Sequence, residues 1–111
     1  LAQRYLKDVG LSPLKKAIVM DGKDNVATML SRVEKGMVVA VVSASGEVVR
    51  RVRVKERIPF AHKLALRRIE EGGEVTKYGE TMGIASKDIE EGEWVHVHNV
   101  KSTIVPRGSR S

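Results

Sequence analysis

The chain has 111 residues, of which 41% are hydrophobic and 31% charged, with no cysteine and a formal charge of +6. That length suits one domain with a modest core, the balance is that of a soluble globular protein, and the missing cysteines exclude disulfides, thiolate metal sites and cysteine nucleophiles and favour a cytoplasmic location. No apolar run approaches the roughly 20 residues of a membrane-spanning helix, and four aromatics, Tyr5, Phe60, Tyr78 and Trp94, are too few for a single-strand stacking platform, so neither membrane nor nucleic acid is an expected partner.

Residues 1–16 read as an N-terminal extension in which Tyr5, Leu6 and Val9 follow helical spacing up to Gly10, and Leu1 to Lys7 lack the apolar core of a secretory signal. The apolar run from Ala17 to Met20 is too short for a helix and predicts the first strand. Asp24 then suits the N-cap of a brief helix over residues 25–31, with Val26, Met29, Leu30 and Val33 at helical spacing. One phrase recurs: Arg32 to Val39, Arg68 to Val75 and Asp88 to Val95 each set a β-branched residue before two charged ones, a glycine and a return to valine. It predicts an apolar anchor, a tight turn whose glycine takes a positive φ, and a new strand. Gly36, Gly72 and Gly92 are 36 and 20 residues apart, so the copies are corners of a bent β structure and not the units of a solenoid.

Val38 to Val42 and Glu47 to Val54 flank Ser43, Ala44, Ser45 and Gly46, a β-hairpin pattern. Val48, Val52 and Val54 fall on one face of its second strand and Arg51, Arg53 and Lys55 on the other. Such a basic ladder is either a solvated edge that resists aggregation or an attractor for an anion. Past Pro59, residues 60–66 fit helix or strand, and strand is expected because Pro59 and the Gly72 corner leave little room. The glycine-rich residues 78–85 predict a turn or, with Lys77 and Tyr78, a loop that holds a carboxylate.

Residues 88–99 predict a turn followed by a strand on which Trp94, His96 and His98 point one way and Val95 and Val97 the other. Imidazoles two residues apart on a strand have Cα atoms roughly 6–7 Å apart, which suits a shared metal ion, anion or substrate. The valine face would supply burial, and Asn99 offers a donor and an acceptor. In the tail, residues 104–111, the string Val105, Pro106, Arg107, Gly108, Ser109 has the pattern of a protease-cleavage and cloning remnant. Taking the charges of Arg107 and Arg110 from +6 leaves +4.

Four strings stand in an informative order: Asp24, Asn25, Val26, Ala27; then His62, Lys63, Leu64, Ala65, Leu66; then Lys77, Tyr78, Gly79, Glu80; then Val95, His96, Val97, His98, Asn99. Together, over residues 17–103, they resemble the small SAF-type domain of the altronate and galactarate dehydratases. The resemblance implies a mainly β, small β-clip fold with one or two short helices. It implies a lyase of sugar acids, or a related sulfo-lyase, in which this chain is the separately encoded small subunit of a larger metal-dependent catalytic subunit. His62, His96 and His98 are then the candidate catalytic residues, and Lys63, Lys77, Tyr78 and Asn99 the candidate substrate contacts. His96 and His98 are also candidate ligands of a divalent metal held mainly by the partner. Three positions depart from the family pattern: Ala61 stands where glycine commonly precedes the histidine, Asp21 where histidine is frequent, and Trp94 where some relatives have a polar residue.

The family reaction removes the proton α to a carboxylate and expels a β-hydroxyl, and because that proton is so weakly acidic it needs both a base and an electrophile. His62, His96 and His98 are the available bases or ligands, and Lys63, Lys77 and the Arg51 ladder the available carboxylate partners. Three histidines dispersed along one chain need not converge on a metal. Two other readings stay open from the residues: a stand-alone binding module for anionic carbohydrates, and a structural domain that forms a homodimer.

Overall fold

The computed structural model of the protein describes residues 14–102. Among them are nine strands and no helix: β1 (Lys15–Ile18), β2 (Val26–Met29), β3 (Val38–Val42), β4 (Val48–Arg53), β5 (Lys63–Ala65), β6 (Glu74–Lys77), β7 (Glu80–Ala85), β8 (Trp94–Val95) and β9 (Val100–Ser102). Six make one sheet in the order β4-β3-β1-β2-β5-β8 and three make a second in the order β6-β7-β9. β1 runs parallel to β3, and the other pairings are antiparallel. The mainly β expectation therefore holds, whereas the short helices are absent from the described residues. The N-terminal pattern around Tyr5 and the C-terminal remnant lie outside those residues.

The middle of the larger sheet is covered on both sides, which explains how strands of two to four residues suffice. Along β2 and β5, alternate side chains feed different cores. Ala27, Met29 and Leu64 join Val33, Val39, Val41, Val52, Val54 and Ile58 in one cluster. Val26 and Ala65 join Val95, Ile69, Val75, Ala85 and Ile89 in the other. Each fully buried valine, leucine or isoleucine contributes about 1.5–3 kcal/mol. The second cluster is what fastens the smaller sheet to the larger.

Residues 25–31 are thus a correction: the expected helix is strand β2. Val26 and Met29 satisfy helical spacing, yet they face different cores. β2 is hydrogen-bonded to β1 on one side and β5 on the other. Asp24 is no helix cap; its carboxylate accepts the N–H groups of Tyr78 at 3.0 Å and Gly79 at 2.8 Å, across the chain at the β6–β7 turn. Asn25 beside it bonds Glu74 and Thr76 of β6. These two side chains stitch the sheets together at one end of β2.

The three corners form as the repeated phrase requires. Val33, Ile69 and Ile89 are buried anchors, and Val33 bridges Ile58 while Ile69 bridges Ile89. Each turn closes with the same bond, Met37 N–H to Glu34 O, Gly73 N–H to Glu70 O and Glu93 N–H to Glu90 O. Gly36, Gly72 and Gly92 have φ near +90°, at 92°, 87° and 90°, where a side chain would strain the backbone.

β3 and β4 form the expected hairpin, with a register shift beyond Val41. That bulge breaks the alternation on β4: Val52 stays buried, but Val48 is 53% exposed instead of sharing its face. The glycine-rich residues 78–85 are a two-residue turn, Tyr78 and Gly79, followed by strand β7. Gly83 lets β9 approach, since a Cβ there would sit 2.4 Å from the Lys101 carbonyl oxygen.

Candidate functional site

Two turns bring the histidines together. Pro59 to His62 is closed by His62 N–H donating to Pro59 O at 3.1 Å, with Ala61 at φ 71°. A positive φ at the third position is the mark of a type II turn and favours glycine. The outgoing side of this turn carries His62 directly into Lys63 of β5. The second turn follows β8, which stops at Val95 and does not extend to His98 as expected. Asn99 closes it: Oδ1 accepts the His96 N–H at 2.9 Å, Nδ2 donates to Trp94 O at 2.8 Å, and the Asn99 N–H donates to His96 O at 3.1 Å. Because the strand ends, Val97 is 81% exposed and supplies no burial, whereas Val95 is wholly buried.

β5 and β8 are hydrogen-bonded neighbours, Lys63 opposite Val95 and Leu64 opposite Trp94. His62 therefore meets the second turn. Its ring centroid lies 4.6 Å from that of His96 and 5.5 Å from that of Trp94. Trp94 in turn stacks on His96 at 5.7 Å and packs against His98 at 5.0 Å. Three imidazoles and one indole form a continuous surface, half-buried at His62 and His96 and exposed at His98.

Beside this cluster a cleft of about 270 Å³ opens between the two sheets. Lys63, His96 and Ser102 are its polar lining, and Val75, Met82, Val97 and Val100 its apolar lining. Burial, and then the nearby charge of Lys77, pulls the Lys63 ammonium below the usual lysine range. His96 is likewise held below the ordinary imidazole value, by burial first and then by His62, Lys63 and His98. In both shifts burial acts first and neighbouring basic groups add to it, so the charged forms of Lys63 and His96 are disfavoured here. Among the described residues, the ion pairs join Arg32 and Arg57 to Glu34, Arg50 to Glu91, and Arg68 to Asp88 and Glu90; none engages Lys63, Lys77 or a histidine. A cleft with basic walls, an apolar floor and this size fits a small organic anion.

The remaining sequence candidates take other places. Lys77 sits with its Nζ 4.9 Å from the Tyr78 ring centroid, and the Tyr78 backbone is held by Asp24. Asn99 is buried, and both ends of its amide are bonded to the backbone of its own turn. The Arg51 ladder is exposed on β4, and Arg53 donates to Gly36 O at 2.8 Å. Among the described residues no three His, Asp or Glu side chains converge to hold a metal ion. A resident divalent metal needs three or four protein ligands, so His96 and His98 do not make a metal site by themselves. Sequence reasoning did not single out Val75, Met82, Val100 or Ser102 as cleft residues. They belong to the smaller sheet, and no local pattern marks which of its side chains face the cleft.

Residues 15–103 match the family model described as the altronate/galactarate dehydratase SAF domain. The chain belongs to this family. This SAF domain is 36% identical over 91 residues to altronate dehydratase of Bacillus subtilis, a match covering 82% of the chain and 17% of that protein. It is 36% identical over 86 residues to the (2R)-sulfolactate sulfo-lyase subunit alpha of Chromohalobacter salexigens, covering 77% of the chain and 92% of that subunit. Altronate dehydratase of Escherichia coli is 35% identical over 81 residues, which is 73% of the chain and 15% of that protein. The SAF domain thus spans about a sixth of the altronate dehydratases it matches and nearly the whole of the sulfo-lyase subunit.

Proposed function

We propose that this SAF domain is the small component of a lyase of hydroxy or sulfonated acids, and that it lends its basic cleft to a site completed by a larger catalytic chain. The observation that carries the reading is the cleft itself: Lys63 and His96 share a wall, and among the described residues neither forms an ion pair with a carboxylate. In this reading Lys63 holds the acid group of the substrate. His96, adjacent and kept neutral by its surroundings, is placed to accept a proton. Elimination also needs electrophilic stabilisation of the charge that develops on the carboxylate, to which Lys63 contributes one positive group in this reading. The larger chain then supplies the remainder. A further support is size, since one relative carries this unit as about a sixth of a longer chain and another as almost an entire subunit.

The test is reconstitution. The domain is co-expressed with the larger chain of the same genome that matches the remainder of altronate dehydratase, and the purified complex is assayed for formation of 2-keto acids from hydroxy and sulfonated acids. A stable complex is expected, with His96→Asn lowering turnover by roughly 10²-fold or more, as loss of a positioned base does. Lys63→Met should chiefly raise KM. Absence of a complex, or full turnover with both variants, would refute the reading. Tight binding of sugar acids by the isolated chain without any complex would favour a stand-alone binding module.

A further inference from the structure

Trp94 makes a ring contact with each of the three imidazoles, and it does so in different ways. It lies nearly parallel to His96, at an interplanar angle of 12°, and tilted to His98 at 51°. It meets His62 edge-on, and there its indole makes a hydrogen bond: Trp94 Nε1–H donates to His62 Nδ1 at 3.1 Å. An indole N–H has a proton to give and no lone pair to accept with. The lone pair in this contact must therefore be on His62 Nδ1, and a proton on that nitrogen would face the indole proton head to head. In a neutral imidazole one nitrogen donates and the other accepts, so the His62 proton belongs on Nε2.

We propose that Trp94 is a positioning residue that fixes His62 as its Nε2–H tautomer, a hydrogen-bond donor, and so leaves His96 as the proton acceptor of the adjacent pair. The two rings are 4.6 Å apart and of the same chemical type, so nothing in the sequence distinguishes their roles. What separates them is that the indole donates to one and merely stacks on the other. His96 lines the cleft, and among the described residues no side chain hydrogen-bonds its ring. Burial and the neighbouring His62, Lys63 and His98 keep it below the ordinary imidazole value, which preserves its lone pair at neutral pH. The ligand class that such a divided pair serves is an oxyanion with a removable proton: the oxygen meets an N–H and the proton meets a lone pair. A second consequence is that His62 has no lone pair to spare for a metal, since Nδ1 is taken by the indole and Nε2 carries hydrogen. The acceptor role of His96 rests on the proposed function, whereas the His62 tautomer follows from the Trp94 contact and does not need the larger chain.

The tautomer is read directly in the 15N-labelled domain by long-range 1H–15N correlation. His62 should show a pyridine-like Nδ1 and a pyrrole-like Nε2, and Trp94→Phe, which keeps a ring but removes the N–H, should release it to a mixture of both tautomers. A pyrrole-like Nδ1 in the unmodified protein, or an unchanged tautomer in Trp94→Phe, would overturn the proposal. Because Trp94 packs against a core, a second variant guards against a folding defect. His62→Phe removes the acceptor, and the Trp94 indole proton should then exchange with solvent roughly tenfold faster, the equivalent of one hydrogen bond. Unchanged exchange would count against the contact.

Discussion

Asn25 is a residue at which a single substitution should weaken the seam between the two sheets. It is 4% exposed. Its side chain acts as a strand would: Nδ2 donates to Glu74 O at 2.8 Å and Oδ1 accepts the Thr76 N–H at 2.8 Å. Its backbone continues the seam, donating to Thr76 O at 3.2 Å and accepting from Leu66 N–H at 2.9 Å. Asn25→Ala leaves Glu74 O and the Thr76 N–H without their partner, at about 1–3 kcal/mol each for a group that water does not reach. With some water entering the gap, the expected loss is about 2–4 kcal/mol, a large share of the 5–15 kcal/mol that holds a domain of this kind together. Asn25→Asp keeps the acceptor but sets an oxygen against the Glu74 carbonyl, so it should cost at least as much. Urea denaturation followed by Trp94 fluorescence measures the loss, and amide exchange at Thr76 shows whether it begins at the seam. A change within about 0.5 kcal/mol, the range of an uninvolved surface site, with Thr76 still protected, would refute the reasoning.

Two more outcomes are expected. Ala61 occupies φ 71°, where an L-residue is strained by roughly 1–2 kcal/mol, while glycine brings back an entropic cost of about 0.5–1 kcal/mol. Ala61→Gly should therefore stabilise by up to about 1 kcal/mol, raising Tm by about 4–8 °C, and a lower Tm would contradict the left-handed turn. For His96, the folded value lies below the unfolded one of about 6.5, so the unfolded chain binds more protons in the interval between them. Its contribution is fully present above about pH 6.5 and is lost as pH falls through that interval. Stability measured by denaturation from pH 7.5 to 5.5 should decline, and less steeply in His96→Asn; equal slopes would show that His96 is not the group responsible.

The parts of the fold that could be read in advance share one property: their cause is local. The three corners follow from glycine's freedom at positive φ and from a β-branched anchor three residues earlier, all within one phrase. The β3–β4 hairpin follows from alternation around Ser43 to Gly46. Residues 25–31 misled because the spacing of Val26 and Met29 suits either a helix or a strand buried on both faces, and the partners that decide it, β1 and β5, are elsewhere in the chain. Asp24 suffered likewise, since its ligands Tyr78 and Gly79 are 54 and 55 residues away. The histidine stretch was half legible. That Trp94, His96 and His98 share a surface could be expected, but the reason given, a continuous strand, is replaced by a turn that Asn99 closes.

By itself, then, the sequence determined where the chain turns, which residues seek the interior and which chemistry-bearing side chains exist, because bond geometry and hydrophobicity act over a few residues. Only the tertiary structure decided that His62 meets His96, that Lys63 shares a cleft with Met82 and Ser102, and that one indole proton distinguishes two identical rings. Those facts depend on strands paired across dozens of residues, and the side chains that meet there carry no local mark of the encounter.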